Sequence, residues 1–315
     1  MKTAFLFPGQ GAQVAGMGAK IAQAFGAAAE IYKKADGIIG YDLSRICFEG
    51  PEEQLNTTAI SQPAIFVTSA AILEVIRDRP AGCEIKPDVT AGLSLGEYTA
   101  LYAAGVISFE DALMLVAKRG QAMQAAAEMK EGAMVSIIGL DEVKVSQLCA
   151  EAGEGELLET ANFNCPGQIV ISGSKAACER AEKLAEKYGA MKAVRLDVAG
   201  AFHTEMMSSA AEVLKAALKK SRISEPCGVK VIANINAEYY KTGEEIAEGL
   251  IKQLTIAIHW QKCMEKIIAD GVENFYEIGP GRVLTGLMRR IDRKAKVINI
   301  SSLQAINELF GLKHN

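Results

Sequence analysis

Five residues, Gly92-Leu93-Ser94-Leu95-Gly96, constrain this chain more than any other stretch. They follow an apolar run, Pro87-Asp88-Val89-Thr90-Ala91, and precede a helical pattern, Glu97-Tyr98-Thr99-Ala100-Leu101. Strand, sharp turn and helix in that order form the setting of a nucleophile elbow. The turn forces its central serine into a cramped conformation with the side chain projecting outward. Glycines on either side remove Cβ atoms that would collide with strand and helix. Ser94 then stands at a helix N-terminus, where unpaired N–H groups and the helix dipole favour negative charge. With 29 glycines among 315 residues, a serine will sometimes be bracketed by chance, so it is the strand-to-helix context that points to chemistry.

The rest of the chain supplies a matching scaffold. Strand-like runs at 3–7, 88–91, 230–233, 274–278 and 296–300 alternate with helical patterns at 19–35, 63–79, 108–127, 204–220 and 241–270, which indicates a mainly parallel sheet covered by helices. Ser108-Phe109-Glu110-Asp111 has the spacing of a helix-starting capping box. Between 130 and 198 the order becomes strand 133–138, helix 141–150, strands 157–163 and 168–173, helix 174–188 and strand 191–196. This is the βαββαβ unit of ferredoxin-like folds. The expected fold class is therefore α/β, a large domain from 1–129 and 199–315 interrupted by a small ferredoxin-like subdomain at 130–198, the two meeting across a cleft.

Composition removes several function classes. A formal net charge of -4 gives no reason to expect nucleic acid. Seven cysteines, at 47, 83, 149, 165, 178, 227 and 263, are odd in number and form no CxxC pair, which disfavours a disulfide framework or a zinc cage and suits a reducing cytoplasm. The apolar N-terminus is too short for a signal peptide and is stopped by Pro8 and Gly9. No uninterrupted apolar window reaches the roughly 20 residues of a membrane span. A soluble, cytoplasmic protein without a membrane partner is expected.

A serine nucleophile needs a base, and the chain offers only His203, His259 and His314. His314 is penultimate, and His259 beside Trp260 suits a surface or capping place. His203 sits where the insert rejoins the large domain, at the expected cleft, although a histidine capping the 204–220 helix fits the same spacing. The loop Phe7-Pro8-Gly9-Gln10-Gly11-Ala12-Gln13 matches neither a P-loop nor a complete dinucleotide fingerprint, and Gly279-Pro280-Gly281 also lacks its third glycine. Donating a backbone N–H to an oxyanion is a better use of the first loop than nucleotide binding.

Seven motifs, in order, carry a family resemblance. Phe7-Pro8-Gly9-Gln10-Gly11, Gly92-Leu93-Ser94-Leu95-Gly96-Glu97-Tyr98, Lys118-Arg119-Gly120, Asn162-Phe163-Asn164-Cys165-Pro166-Gly167-Gln168, Gly200-Ala201-Phe202-His203, Gln253-Leu254 and Glu277-Ile278-Gly279-Pro280-Gly281 together resemble the malonyl-CoA:acyl carrier protein transacylases, over nearly the whole chain. The resemblance implies an α/β hydrolase-like large domain. It implies that Ser94 takes a malonyl group from malonyl-CoA and passes it to the phosphopantetheine thiol of acyl carrier protein in fatty acid biosynthesis, a ping-pong transfer. It makes His203 the base, gives the oxyanion hole to the amides of Gln10 and Leu95, and has the main-chain carbonyl of Gln253 orient the histidine. Arg119 would receive the malonyl carboxylate, a task suited to a planar guanidinium, although outside the motif an arginine on a solvated helix face would be the plainer reading. Phe202 and Leu95 resemble residues of malonyl-selective members, where bulk crowds an α-methyl branch. No cofactor or metal is implied, since malonyl-CoA and the carrier are substrates.

Two departures from the family pattern stand out. Position 93 is Leu where many members have His, and Ile256-Ala257-Ile258-His259-Trp260 replaces a segment usually containing Asn-Pro or Ser-Pro, which leaves open how the carbonyl of Gln253 is aimed. Arg289, Arg290, Arg293 and Lys294 form a candidate patch for an acidic carrier, though such a run is more often a solvated helix face. The alternatives are a trans-acting polyketide acyltransferase and a serine thioesterase or esterase. Arg119 and the lack of an obvious triad acid weigh against hydrolysis.

Overall fold

The computed structural model describes residues 1–78 and 85–312, so Cys83, His314 and the last residue of the expected 63–79 helix lie outside the described residues. The strands are β1 Lys2–Phe7, β2 Val89–Gly92, β3 Gly132–Ile138, β4 Leu158–Cys165, β5 Gln168–Ser174, β6 Lys192–Arg195, β7 Lys230–Val231, β8 Val272–Ile278 and β9 Lys296–Ile300. Five of them form a parallel sheet in the order β7-β2-β1-β8-β9. β1 and β2 are buried almost throughout and read as continuous apolar runs, as strands covered on both faces must. Phe7 pairs with Gly92, so the loop after β1 and the elbow after β2 leave the sheet side by side at its C-terminal edge. That edge is where open α/β sheets gather ligands.

The other four strands form an antiparallel sheet in the order β4-β5-β3-β6, with helices Glu142–Gly153 and Lys175–Leu184 packed on it. This is the ferredoxin-like arrangement. The small sheet is tied to the segment before helix Trp260–Ala269 by a parallel bridge in which Phe163 N–H donates to the Ile258 carbonyl and Ile258 N–H to the Ala161 carbonyl, both at 2.8 Å. Met134, Ala161 and Val170 of the small sheet belong to the main core of the large one.

Several expected elements differ. The 241–270 helix is two helices, Gly243–Lys252 and Trp260–Ala269, because Ile258 spends its backbone groups on β4 instead of on a helical ladder. The 19–35 helix divides at Phe25, whose extended backbone separates Ala19–Ala24 from Gly26–Ile39. The 204–220 pattern opens with a 3₁₀ turn, Glu205–Met207, before Ser208–Leu218. The 230–233 strand pairs only over β7, because Ile232 bridges to Tyr239 and the chain turns toward the elbow. Helix Thr58–Arg77 is long and apolar enough to cross a membrane by length and composition, with Pro63 inside it, but 83% of its apolar window is buried in the protein, so its apolarity serves the core.

Candidate active site

Ser94 has φ 52°, a left-handed backbone that costs a non-glycine residue of order 1–3 kcal/mol unless its surroundings impose it. Here they do. A Cβ on Gly92 would lie 1.9 Å from the main-chain carbon of Gly96, and one on Gly96 would lie 2.1 Å from the carbonyl oxygen of Phe7. Only glycines let strand, turn and helix Gly96–Ala103 approach so closely. Asn234, just beyond β7, clamps the turn from outside: its Oδ1 accepts Ser94 N–H at 2.7 Å, and its Nδ2 donates to the Gly92 carbonyl at 2.8 Å.

Opposite the serine stands His203, also left-handed at φ 60° and 4% exposed. Its Nε2 is 3.0 Å from Ser94 Oγ, and its Nδ1 is 2.6 Å from the Gln253 main-chain carbonyl. A carbonyl only accepts, so Nδ1 carries the proton and Nε2 is left as the acceptor for the serine hydroxyl. Burial and then the nearby Arg119 charge push the imidazole down to about 3, so it is neutral at physiological pH and able to take a proton. The capping role goes to Thr204, whose hydroxyl accepts Met206 N–H. The substituted 256–260 segment leaves the Gln253 carbonyl on target.

Arg119 lies on helix Phe109–Met129 and is 1% exposed, so the solvated-face reading does not apply. Its partners are neutral: Gln62 Oε1 at 2.6 Å, Ser94 Oγ at 3.0 Å and Gln253 Oε1 at 3.0 Å, with the Tyr98 ring 5.7 Å away. Its Nε has no partner. A buried guanidinium with an unpaired N–H beside the serine is an electrostatic arrangement completed by an anion.

Gln10, Ser94, Leu95, Arg119, Phe202 and His203 all line one cavity of about 180 Å³. At about 30 Å³ per water molecule, that is room for a short acyl unit. The small subdomain supplies another wall with Met134, Asn162, Asn164 and Val170. Leu93 also lines it. Among the described residues, the amides of Gln10 and Leu95 donate to no protein acceptor. Gln253 lies behind the histidine, fully buried.

Other candidates stand apart. The His259 ring stacks on Phe163 with centroids 5.0 Å apart, while its main-chain N–H donates to the Asn234 carbonyl at 2.8 Å. Arg289, Arg290 and Arg293 border a surface depression with Pro166, and they and Lys294 are exposed. Arg290 is engaged with Gln168 Oε1 and the carbonyls of Pro166 and Gly167. The helix that carries Arg289 and Arg290, Val283–Ile291, also sends Val283 and Leu287 to the cavity wall, so the basic surface begins near its mouth.

Sequence reasoning missed Asn234, Gln62 and Glu97. Asn234 follows a strand at the ligand-gathering edge of the sheet, and Gln62 is a lone amide in an apolar helix. Glu97 was visible inside the elbow motif but carried no role. Among the described residues, no cluster of His, Cys, Asp or Glu has the makings of a metal site.

Comparison with known proteins agrees with this geometry. The family described as "Acyl transferase domain" matches residues 4–305. A Bacillus subtilis malonyl CoA-acyl carrier protein transacylase is 44% identical over 97% of this chain and 95% of its own. The crystal structure of an acyl-carrier-protein S-malonyltransferase from Bartonella henselae superimposes with a TM-score of 0.92 at 40% identity, covering 99% of this chain and 100% of that one. A malonyl-transacylase in complex with its type II polyketide synthase acyl-carrier protein has a TM-score of 0.94 at 38% identity, with 99% and 100% covered.

Proposed function

The chain belongs to the acyl transferase domain family, and on that premise we infer that it is a malonyl-CoA:acyl carrier protein transacylase of fatty acid biosynthesis acting in the cytoplasm. One observation carries the substrate class: Arg119, buried and bonded only to neutral groups, touches the nucleophile's own oxygen. A hydrolase of neutral esters has no use for that charge, whereas the free carboxylate of a malonyl group does.

The geometry supports two matching half-reactions. Ser94 Oγ attacks the thioester carbon of malonyl-CoA while its proton passes to Nε2 of His203. The developing oxyanion faces the free amides of Gln10 and Leu95. Collapse breaks the C–S bond, and the CoA sulfur leaves with the proton from His203, so a malonyl ester remains on Ser94. The pantetheine thiol of acyl carrier protein then gives its proton to Nε2 and attacks the ester, and the proton returns to Oγ. Gln253 keeps the imidazole in the required tautomer, and Phe202 and Leu95 narrow the cavity against a branched acyl chain. No step calls for a cofactor.

The test is intact-mass measurement of the protein mixed with malonyl-CoA and then with carrier protein. A malonyl adduct that appears and is handed over supports the reading. An adduct lost only to water means a hydrolase, and an adduct on Ser94→Ala removes the nucleophile assignment.

A further inference from the structure

Glu97 is fully buried one turn beyond the nucleophile, yet none of the chemical steps above uses it. Its Oε1 accepts the Tyr240 hydroxyl at 2.6 Å, while Oε2 accepts Gln253 Nε2 at 2.8 Å and Asn234 N–H at 3.1 Å. All three neighbours donate, so in its ionised form the carboxylate serves as a pure acceptor. Two of them hold the reacting groups. The Gln253 side chain turns its NH₂ toward Glu97 and the Ser94 carbonyl and its Oε1 toward Arg119. Flipped, that amide would aim NH₂ at the guanidinium, donor against donor, and its oxygen at two acceptors, so Glu97 Oε2 at 2.8 Å and the Ser94 carbonyl at 3.1 Å together exclude the flip. The same oxygen fixes the main chain of Asn234, whose side chain clamps the Ser94 turn.

We propose that Glu97 is a positioning residue for this site, an acceptor that sets the direction of the Gln253 amide and thereby fixes Arg119, while anchoring Asn234 behind Ser94. The assignment rests on the acyl-transfer reading of Ser94, His203 and Arg119. Burial raises the carboxyl while its three donors and Arg119 hold it down, the balance lying at about 7. The other ionisable groups facing it are Tyr98 on its own helix, Tyr240 beyond β7 and Cys263 on Trp260–Ala269.

The experiment compares Glu97→Met, which keeps length but offers no acceptor, Glu97→Gln, which keeps one, and Gln253→Met, which removes the amide and keeps the main-chain carbonyl. Each is assayed for Ser94 acylation from malonyl-CoA and from acetyl-CoA. Leaving one Gln253 N–H and the Asn234 main-chain N–H buried without their acceptor should lower malonyl kcat/KM in Glu97→Met by about tenfold or more. Much of that loss should be in KM, with acetyl transfer less affected, and Glu97→Gln should recover most of it. Gln253→Met should show the same loss of malonyl preference, and it carries the test if Glu97→Met fails to fold. The proposal is overturned if malonyl and acetyl transfer fall equally, if Glu97→Gln is no better than Glu97→Met, or if Gln253→Met keeps full malonyl preference. A wild-type protein that forms no malonyl adduct would instead sink the acyl-transfer reading.

Discussion

The main-chain carbonyl of Gln253 lies 2.6 Å from Nδ1 of His203, so a neutral acceptor orients the base of this site. The choice suits the surroundings. A second carboxylate beside His203 would pair with Arg119 and compete for the charge that the substrate must find. A peptide carbonyl fixes the tautomer and leaves the guanidinium available.

Removing that base should slow both half-reactions. His203→Ala is expected to lower the rate of Ser94 acylation by about 10²–10⁴, the usual share of a positioned acid or base. His259→Ala should change it little, since that ring only stacks on Phe163. Single-turnover acylation measured for both variants checks this, and the reverse ranking would displace His203.

Arg119 makes a prediction about substrate choice. Truncation to Ala should reduce malonyl transfer by about 100-fold, within the range for removing one partner of a buried charge pair, while acetyl transfer falls far less. Arg119→Lys restores charge without the planar fork and should recover only part of the malonyl rate. Competition between the two CoA thioesters reads the ratio directly. Equal losses would remove Arg119 from carboxylate recognition.

The exposed basic surface should act on the carrier step. In a double variant, Arg289→Glu with Arg293→Glu, KM for acyl carrier protein should rise about tenfold at low salt, with the difference shrinking as ionic strength increases. Transfer to free pantetheine, which lacks an acidic surface, should be unchanged. Arg290 is left in place because it holds the 166–168 turn. A KM that does not respond would make the patch an ordinary solvated face.

What was legible in the sequence depended on whether a signal was local. The elbow, the Ser108 cap and the β4–β5 strand pair rest on neighbouring residues, and all three are formed. The break at 253–259 was hidden because helical periodicity in 241–270 says nothing of Ile258 pairing with a strand almost a hundred residues earlier. Glu97 and Asn234 were obscured in the same way. Their bond joins residues 137 positions apart, and no pattern of spacing announces that a carboxylate beside a nucleophile faces inward to a backbone amide.

That buried carboxylate also leaves a signature in stability, opposite in sign to that of His203. The histidine lies at about 3 in the folded protein against an ordinary 6.5, so between those values the unfolded chain binds the extra proton. Its contribution is complete above 6.5 and is lost as pH falls toward 3. Glu97 lies at about 7 against an ordinary 4.5, so over that span the folded protein keeps a proton that the unfolded chain has released. Its contribution is complete below 4.5 and is lost as pH rises through 7. In the shared window, from 4.5 to 6.5, the two slopes oppose each other and the wild-type curve is flattened. Glu97→Gln removes one slope and leaves the other, so the variant should gain stability relative to wild type as pH rises from 4.5 to 7, by about 3 kcal/mol in all at roughly 1.4 kcal/mol per unit. Urea unfolding of both proteins at half-unit pH steps measures the difference, and parallel curves would show that Glu97 does not carry a raised pKa in the folded state.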